Sequence, residues 1–215
     1  MADVKPLKLD SGIIKQMGTG DTLPVANGGT GATTLTDNGV LIGNGTGAVD
    51  VTAAGATGEV LVGVTGGNPV FSSSYVGKSI AIYKDSDETV STSTTVQSDD
   101  EFLFAIGANE TWEGVWFPTV ISPLAAGLKV AATLPSGATG RKRIAWGNTG
   151  SVDSDITATT GATFQWLIQT YGRITFKVVN GSTAGNVQFQ WAQNVSDGGS
   201  TIMRAGSYLI ATRTA

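Results

Sequence analysis

From residue 78 onward, apolar and polar positions alternate in short runs separated by turn residues, the two-residue period of half-buried strands. Val187-Gln188-Phe189-Gln190-Trp191 shows it most plainly: Val187, Phe189 and Trp191 share one face and the glutamines the other. Similar runs start at Ser79, Glu101, Trp112, Leu128, Arg143 and Tyr208, and residues 89–96 are rich in β-branched side chains that stiffen extended chain. Residues 163–168 and 173–178 read as a hairpin turning at Tyr171-Gly172. In the run from Trp112 to Phe117, Trp112 and Trp116 fall on one face and Glu113, Val115 and Phe117 on the other. Both faces are apolar, so one is expected to meet an opposing sheet and the other a neighbouring subunit. No ten-residue stretch has a helical period. Residues 78–215 therefore predict an all-β, antiparallel, jelly-roll-like sandwich of eight to ten short strands.

The first 77 residues are of another kind. They hold 16 of the 30 glycines and, in Phe71 and Tyr75, just two of the 16 aromatics. That is too little apolar bulk for a core of their own, and glycine raises the entropy cost of ordering. A weak repeat runs through them: Gly39-Val40-Leu41-Ile42-Gly43 returns twenty residues later as Glu59-Val60-Leu61-Val62-Gly63, and Val51 aligns with Phe71. Two copies are too few for a self-supporting solenoid. Residues 25–77 are thus expected to form an extended glycine-rich stalk packed against other subunits through Val40, Leu41, Ile42, Val60, Leu61 and Val62, with Trp112 and Trp116 adding to subunit packing. Residues 1–24 mix Lys5, Lys8 and Lys15 with Leu7, Leu9, Ile13, Ile14 and Met17 and read as an anchoring arm, in which Lys5, Leu7, Lys8, Leu9, Ile13, Ile14 and Met17 are the candidate attachment residues.

Composition narrows the chemistry. The chain has no cysteine and no histidine. Thiol nucleophiles, Ser-His-Asp triads and thiolate or imidazole zinc sites are excluded within it. Neither an enzymatic activity nor a cofactor or metal is expected. The formal net charge is -4, without the basic footprint of a nucleic-acid binder. No apolar run is long enough to span a bilayer and the opening residues lack a secretory h-region, so no membrane partner is expected. Acidic clusters at 85–88, 99–101 and 153–155 offer oxygens of the kind Ca²⁺ takes, but without EF-hand spacing; turn chemistry is the simpler reading. A carboxylate pair for glycoside hydrolysis ranks last, because nothing singles out one acid. Arg141-Lys142-Arg143 is the one basic run, expected as a solvated strand start.

Residues 22–34, Thr-Leu-Pro-Val-Ala-Asn-Gly-Gly-Thr-Gly-Ala-Thr-Thr, resemble the Gly-Gly-Thr-Gly-Ala-Thr-Thr segment common in tailed-phage fibre and head-fibre proteins. Residues 7–17 are similar to the start of such proteins, and 58–71 continue the likeness. The second half, in 98–112, 187–194 and 207–209, is similar to a β domain of phage virion proteins. The resemblance implies a homotrimeric, non-enzymatic virion component, assembled in the host cytoplasm, that contacts the major capsid protein or other virion proteins. A capsid decoration or head fibre is the leading expectation. The alternative is a tail-associated fibre whose β domain recognises a host surface glycan.

Overall fold

The computed structural model describes residues 6–18, 21–27, 29–146, 151–162 and 170–215. The chain divides into two units, Met1–Tyr75 and Val76–Ala215. Among the described residues the one helical element is a 3-10 turn at Val25–Asn27; all other regular structure is β.

Among its described residues the first unit contains three separate two-stranded hairpins. β1 (Leu7–Asp10) pairs with β2 (Ile13–Gln16) across the two-residue loop Ser11-Gly12. Both loop residues have positive φ, 52° and 80°, the geometry whose twist matches that of flanking strands. β3 (Leu41–Ile42) pairs with β4 (Asp50–Val51), and β5 (Val60–Val62) with β6 (Val70–Ser72). The twenty-residue repeat is visible in their backbone. Leu41 faces Val51 as Leu61 faces Phe71. The turn bonds Gly39 N–H to Thr36 O and Gly47 N–H to Asn44 O recur as Glu59 N–H to Ala56 O and Gly67 N–H to Val64 O.

The second unit is an antiparallel sandwich of thirteen strands among the described residues. In chain order they are β7 (Ser79–Tyr83), β8 (Glu88–Val90), β9 (Gln97–Ile106), β10 (Thr111–Phe117), β11 (Thr119–Ile121), β12 (Leu128–Thr133) and β13 (Thr139–Trp146). They continue with β14 (Ser151–Asp155), β15 (Thr160–Ala162), β16 (Thr170–Val179), β17 (Gly185–Gln193), β18 (Thr201–Met203) and β19 (Tyr208–Arg213). The larger sheet has the order β7-β19-β10-β16-β11-β18-β8, with β13 on β16 and β14 on β13; the smaller is β15-β12-β17-β9. β10 and β11 keep one continuous register against β16, from Thr111 opposite Val179 to Val120 opposite Thr170. Pro118 separates them because it has no N–H for the ladder.

The core lies between the sheets. Phe102, Phe104, Trp112, Trp116, Phe176, Phe189 and Trp191 are all buried. Trp116 meets Phe102 at 5.3 Å and Phe189 at 5.0 Å between ring centroids. Gly114, between the two tryptophans on the inner face of β10, makes room for Phe176: a Cβ there would stand 2.5 Å from that ring and 2.5 Å from the Ile210 carbonyl oxygen. Gly114→Val is therefore expected to destabilise this unit by roughly 1–3 kcal/mol or more through overpacking. A denaturation midpoint equal to that of the unsubstituted chain would contradict this.

Two strand expectations are corrected. Residues 89–96 are strand only as far as Val90. Beyond it Thr92 takes φ 52°, and local hydroxyl bonds (Thr92 Oγ1 to Ser91 O, Thr95 N–H to Ser93 Oγ) hold a bend instead. Tyr171-Gly172 is not a turn: both lie inside β16, where Gly172 N–H donates to Pro118 O at 2.9 Å. The partner run 163–168, with Trp166, lies outside the described residues.

Candidate contact surfaces and a buried charge cluster

Register divides the N-terminal hairpin into two faces. Leu7, Leu9 and Ile14 share one, with Gln16; Lys8, Lys15, Asp10 and Ile13 share the other. Leu9 is 73% and Ile14 69% exposed, so among the described residues nothing covers the apolar face. The polar face is pinned by ion pairs, Lys15 to Asp10 at 2.9 Å and Lys8 to Asp21 at 2.6 Å. The Lys8 hydrogen bond and the Gly18 N–H hold the Asp21 carboxyl below its usual range. Met17 is half-buried, its N–H bonded to Pro6 O. Of the seven arm candidates, Leu7, Leu9 and Ile14 thus form one surface, Lys8 and Ile13 face the other way, Met17 closes the base, and Lys5 lies outside the described residues.

Of the stalk candidates, Val40, Leu41, Val60 and Leu61 are exposed, while Ile42 and Val62 are half-buried. A cleft of about 430 Å³ between the two repeat hairpins is lined by Ile42, Val51, Pro69, Val70 and Phe71, with Glu59 and Asn68. Asn68 Nδ2 donates to Asp50 Oδ2 at 3.1 Å across it.

In the sandwich, the two tryptophans assigned to subunit packing are elsewhere: Trp112 is 3% and Trp116 0% exposed, both inside the unit's own core. The opposite face of β10 is the open one. There Phe117 stacks on Tyr208 at 4.7 Å and Tyr208 on Tyr83 at 5.9 Å, beside Val115 and Ile210. A charged band adjoins this stripe, with pairs Lys177–Glu113 (2.8 Å), Arg141–Asp155 (3.2 Å) and Arg143–Asp153 (3.8 Å). Such exposed pairs add little stability, and their alternating signs leave a patterned surface rather than a basic one. Lys142, between the two arginines, points inward. It is buried and its ammonium donates to the carbonyls of Asp155, Ile156 and Ala158. Burial pushes it down to about 8, against the pull of Asp155.

Sequence reasoning missed the main polar constellation, around Lys84. It follows β7 and is buried, its backbone tied to the β18–β19 turn through Ser207 O and Gly206 N–H. Its ammonium contacts Glu88 at 2.9 Å, Asp99 at 3.1 Å, and Glu101. Two of the three acidic clusters therefore converge on one lysine, and the space between their carboxylates is filled by its ammonium. Burial works against that charge, but hydrogen bonds to Glu101 and Glu88 and the Asp99 charge outweigh it and hold Lys84 above the ordinary lysine range. Burial raises Glu88, partly offset by Lys84. At Glu101 the opposing burial is overcome by Lys84, and the group is lowered.

A bulge puts Asp99 there. β9 pairs with β17 at Leu103–Gln188 and again at Ser98–Gln190, so β9 carries extra residues between these points. Gln188 Nε2 donates to the freed carbonyls of Asp99 (2.8 Å) and Phe102 (3.3 Å). The Asp99 carboxylate turns inward. Its Oδ1 accepts from the N–H groups of Glu101 (3.0 Å) and Phe102 (3.1 Å), and its Oδ2 from Trp191 Nε1 (3.1 Å).

No family model and no curated protein matches the chain. Among solved structures it is similar to that of infectious bursal disease virus Gx strain, at 12% identity over 71% of this chain and 44% of that one, TM-score 0.21. It is also similar to the infectious bursal disease virus VP2 subviral particle, at 11% identity over 73% of this chain and 43% of that one, TM-score 0.23. The chain spans less than half the length of these proteins. Among the described residues no helix is long and apolar enough to cross a membrane.

Proposed function

We propose that this chain is a structural component of a bacteriophage virion: a homotrimeric capsid decoration or head-fibre protein that attaches through its N-terminal arm to the major capsid protein. The observation that carries this is the open apolar face of the N-terminal hairpin. A lone two-stranded hairpin is at best marginally stable in water, and here it presents Leu7, Leu9 and Ile14 to solvent. A structural partner that covers that face supplies the missing burial. The repeat hairpins, with Leu41 and Leu61 exposed, call for the same from sister chains. The resemblance of residues 22–34 to phage fibre and head-fibre segments supplies the biological setting. The role is mechanical: many modest interfaces gain strength through multivalency. On this reading the chain turns over no substrate and acts in the assembled particle.

A second reading, a tail-associated fibre that binds host glycan, draws on the Phe117–Tyr208–Tyr83 stripe, an aromatic surface open to stacking. Cryo-EM of the intact particle separates the two: many copies spread over the head shell support the first, a few copies at the tail the second.

The double substitution Leu9→Asp and Ile14→Asp tests the attachment face. Burial of each side chain is worth about 1.5–3 kcal/mol, so the two together are expected to weaken affinity for the particle roughly a hundredfold or more. The melting of the sandwich should not change. Particles that retain full occupancy of the variant would refute attachment through this face.

A further inference from the structure

We propose that Lys84 and Asp99 condense to an intramolecular isopeptide bond, a covalent staple between the two sheets of the sandwich. Lys84 extends from β7 in the larger sheet and Asp99 belongs to β9 in the smaller. Nζ stands 3.1 Å from Oδ1, and the two side chains are 1% and 0% exposed. The Phe102 ring lies 5.8 Å from the nitrogen. Water is thus kept from the pair, which favours its loss in a condensation and shields the product from hydrolysis.

Each part of the reaction has a group in place. Nζ donates to both Glu88 and Glu101, and Glu88, which burial makes the more basic of the two, can take its proton. One proton leaves the ammonium for Glu88, and the freed amine attacks Cγ of Asp99. Charge that develops on Oδ1 meets the backbone N–H groups of Glu101 and Phe102, an oxyanion-hole arrangement already formed. The nitrogen then gives up a second proton through the same glutamate. The Cγ–Oδ2 bond breaks, Oδ2 leaves with both protons as water, and one N–H remains on the amide. One ammonium and one carboxylate become one amide and one water, so charge and atoms balance without oxidant or co-reactant. Asp99 is the acyl donor because it is the fully enclosed carboxylate of the three; the side chains of Glu88 and Glu101 are 13% and 23% exposed.

Mass spectrometry of the folded, full-length chain after denaturation and trypsin digestion tests this directly. Trypsin cuts after Lys78, Lys84 and Lys129, and an acylated Lys84 is not cut. The expected product is residues 79–129 as one peptide, lighter than its sequence by one water, with fragment ions that place the link between Lys84 and Asp99. Separate peptides 79–84 and 85–129 at full mass would overturn the proposal, as would a link to Glu88 or Glu101. Asp99→Ala should restore cleavage at Lys84. Replacing both Glu88 and Glu101 with glutamine should slow bond formation by about a hundredfold or more, the usual worth of general acid–base assistance; an unchanged rate would overturn the proton relay. The unsubstituted chain decides the bond itself even where a variant fails to fold.

Discussion

Trp116→Ala is expected to lower the stability of the sandwich by about 3–5 kcal/mol, the usual cost of a cavity left by a large aromatic. Trp116 is 0% exposed at the centre of the core, against Phe102 from one strand of the smaller sheet and Phe189 from another. Its removal takes away the side chain that both rings lean on, and neither strand can close the gap without breaking its own ladder. Trp116→Phe should cost much less. The indole Nε1 has no hydrogen-bond partner among the described residues, so no polar interaction is lost with it. Trp191→Phe offers the contrast: its Nε1 donates to Asp99 Oδ2, and the substitution strips a donor from a buried carboxylate. Urea unfolding with a constant slope would measure all three. A Trp116→Ala unfolding free energy within roughly 1 kcal/mol of the unsubstituted chain's would show that the core does not depend on this contact.

The tryptophans also show how far the pattern of side chains reaches. Alternation placed Val187, Phe189 and Trp191 on one face, and all three are buried in the core. It also showed that β10 is apolar on both sides. What alternation cannot say is which side faces in. Gly114 decides it: only a position without a side chain lets Phe176 close over β10, so its face, with Trp112 and Trp116, turns inward. Val115 and Phe117 are left on the outside. The same period was available at Arg141-Lys142-Arg143. Ile144 is buried, and two positions earlier in the strand Lys142 must share its direction. A basic triplet thus contains one interior lysine, held by three carbonyls, between two surface arginines.

The Lys84 cluster was legible in parts but not as a whole. Residues 85–88 and 99–101 stand out as acidic, and Asp and Ser favour turns, so turn chemistry is the simpler reading of each. No local signal reports that the β9 bulge swings Asp99 inward, because the extra residues show only against the register of β17. Nor does a single lysine after a strand announce burial, since lysine is almost never fully buried without a partner. The partners come from residues up to 17 positions away, brought together by the sandwich itself. The strand expected over residues 89–96 stops at Val90 for the opposite reason: strand propensity is present, but short-range hydroxyl bonds satisfy the backbone locally.

Lys84→Met should have the second large effect when set against the chain in which the Lys84–Asp99 bond has not formed, and its pH dependence carries the argument. The substitution leaves Glu88, Asp99 and Glu101 converging on a site with no cation. Breaking a buried ionic cluster by removing one partner costs about 3–5 kcal/mol, so that deficit is expected at neutral pH. With the ammonium gone, burial and repulsion push Glu88 further in the direction it already takes, and Glu101 loses what lowers it. Groups raised on folding bind more protons in the native than in the unfolded state, so stability of the variant falls as pH rises through their range and recovers as it drops. The unsubstituted chain in its unlinked form, with Lys84 still an ammonium, moves the other way in acid through Glu101. Lowered by Lys84, that group stabilises above its unfolded value and loses the contribution as pH falls through its folded one. The two curves should therefore converge on acidification, with the deficit smallest in the ordinary carboxylate range and largest at neutral pH. Unfolding free energies measured across that range would show it. A deficit that widens in acid, or that is absent at neutral pH, would mean that the three carboxylates do not depend on Lys84 for their burial.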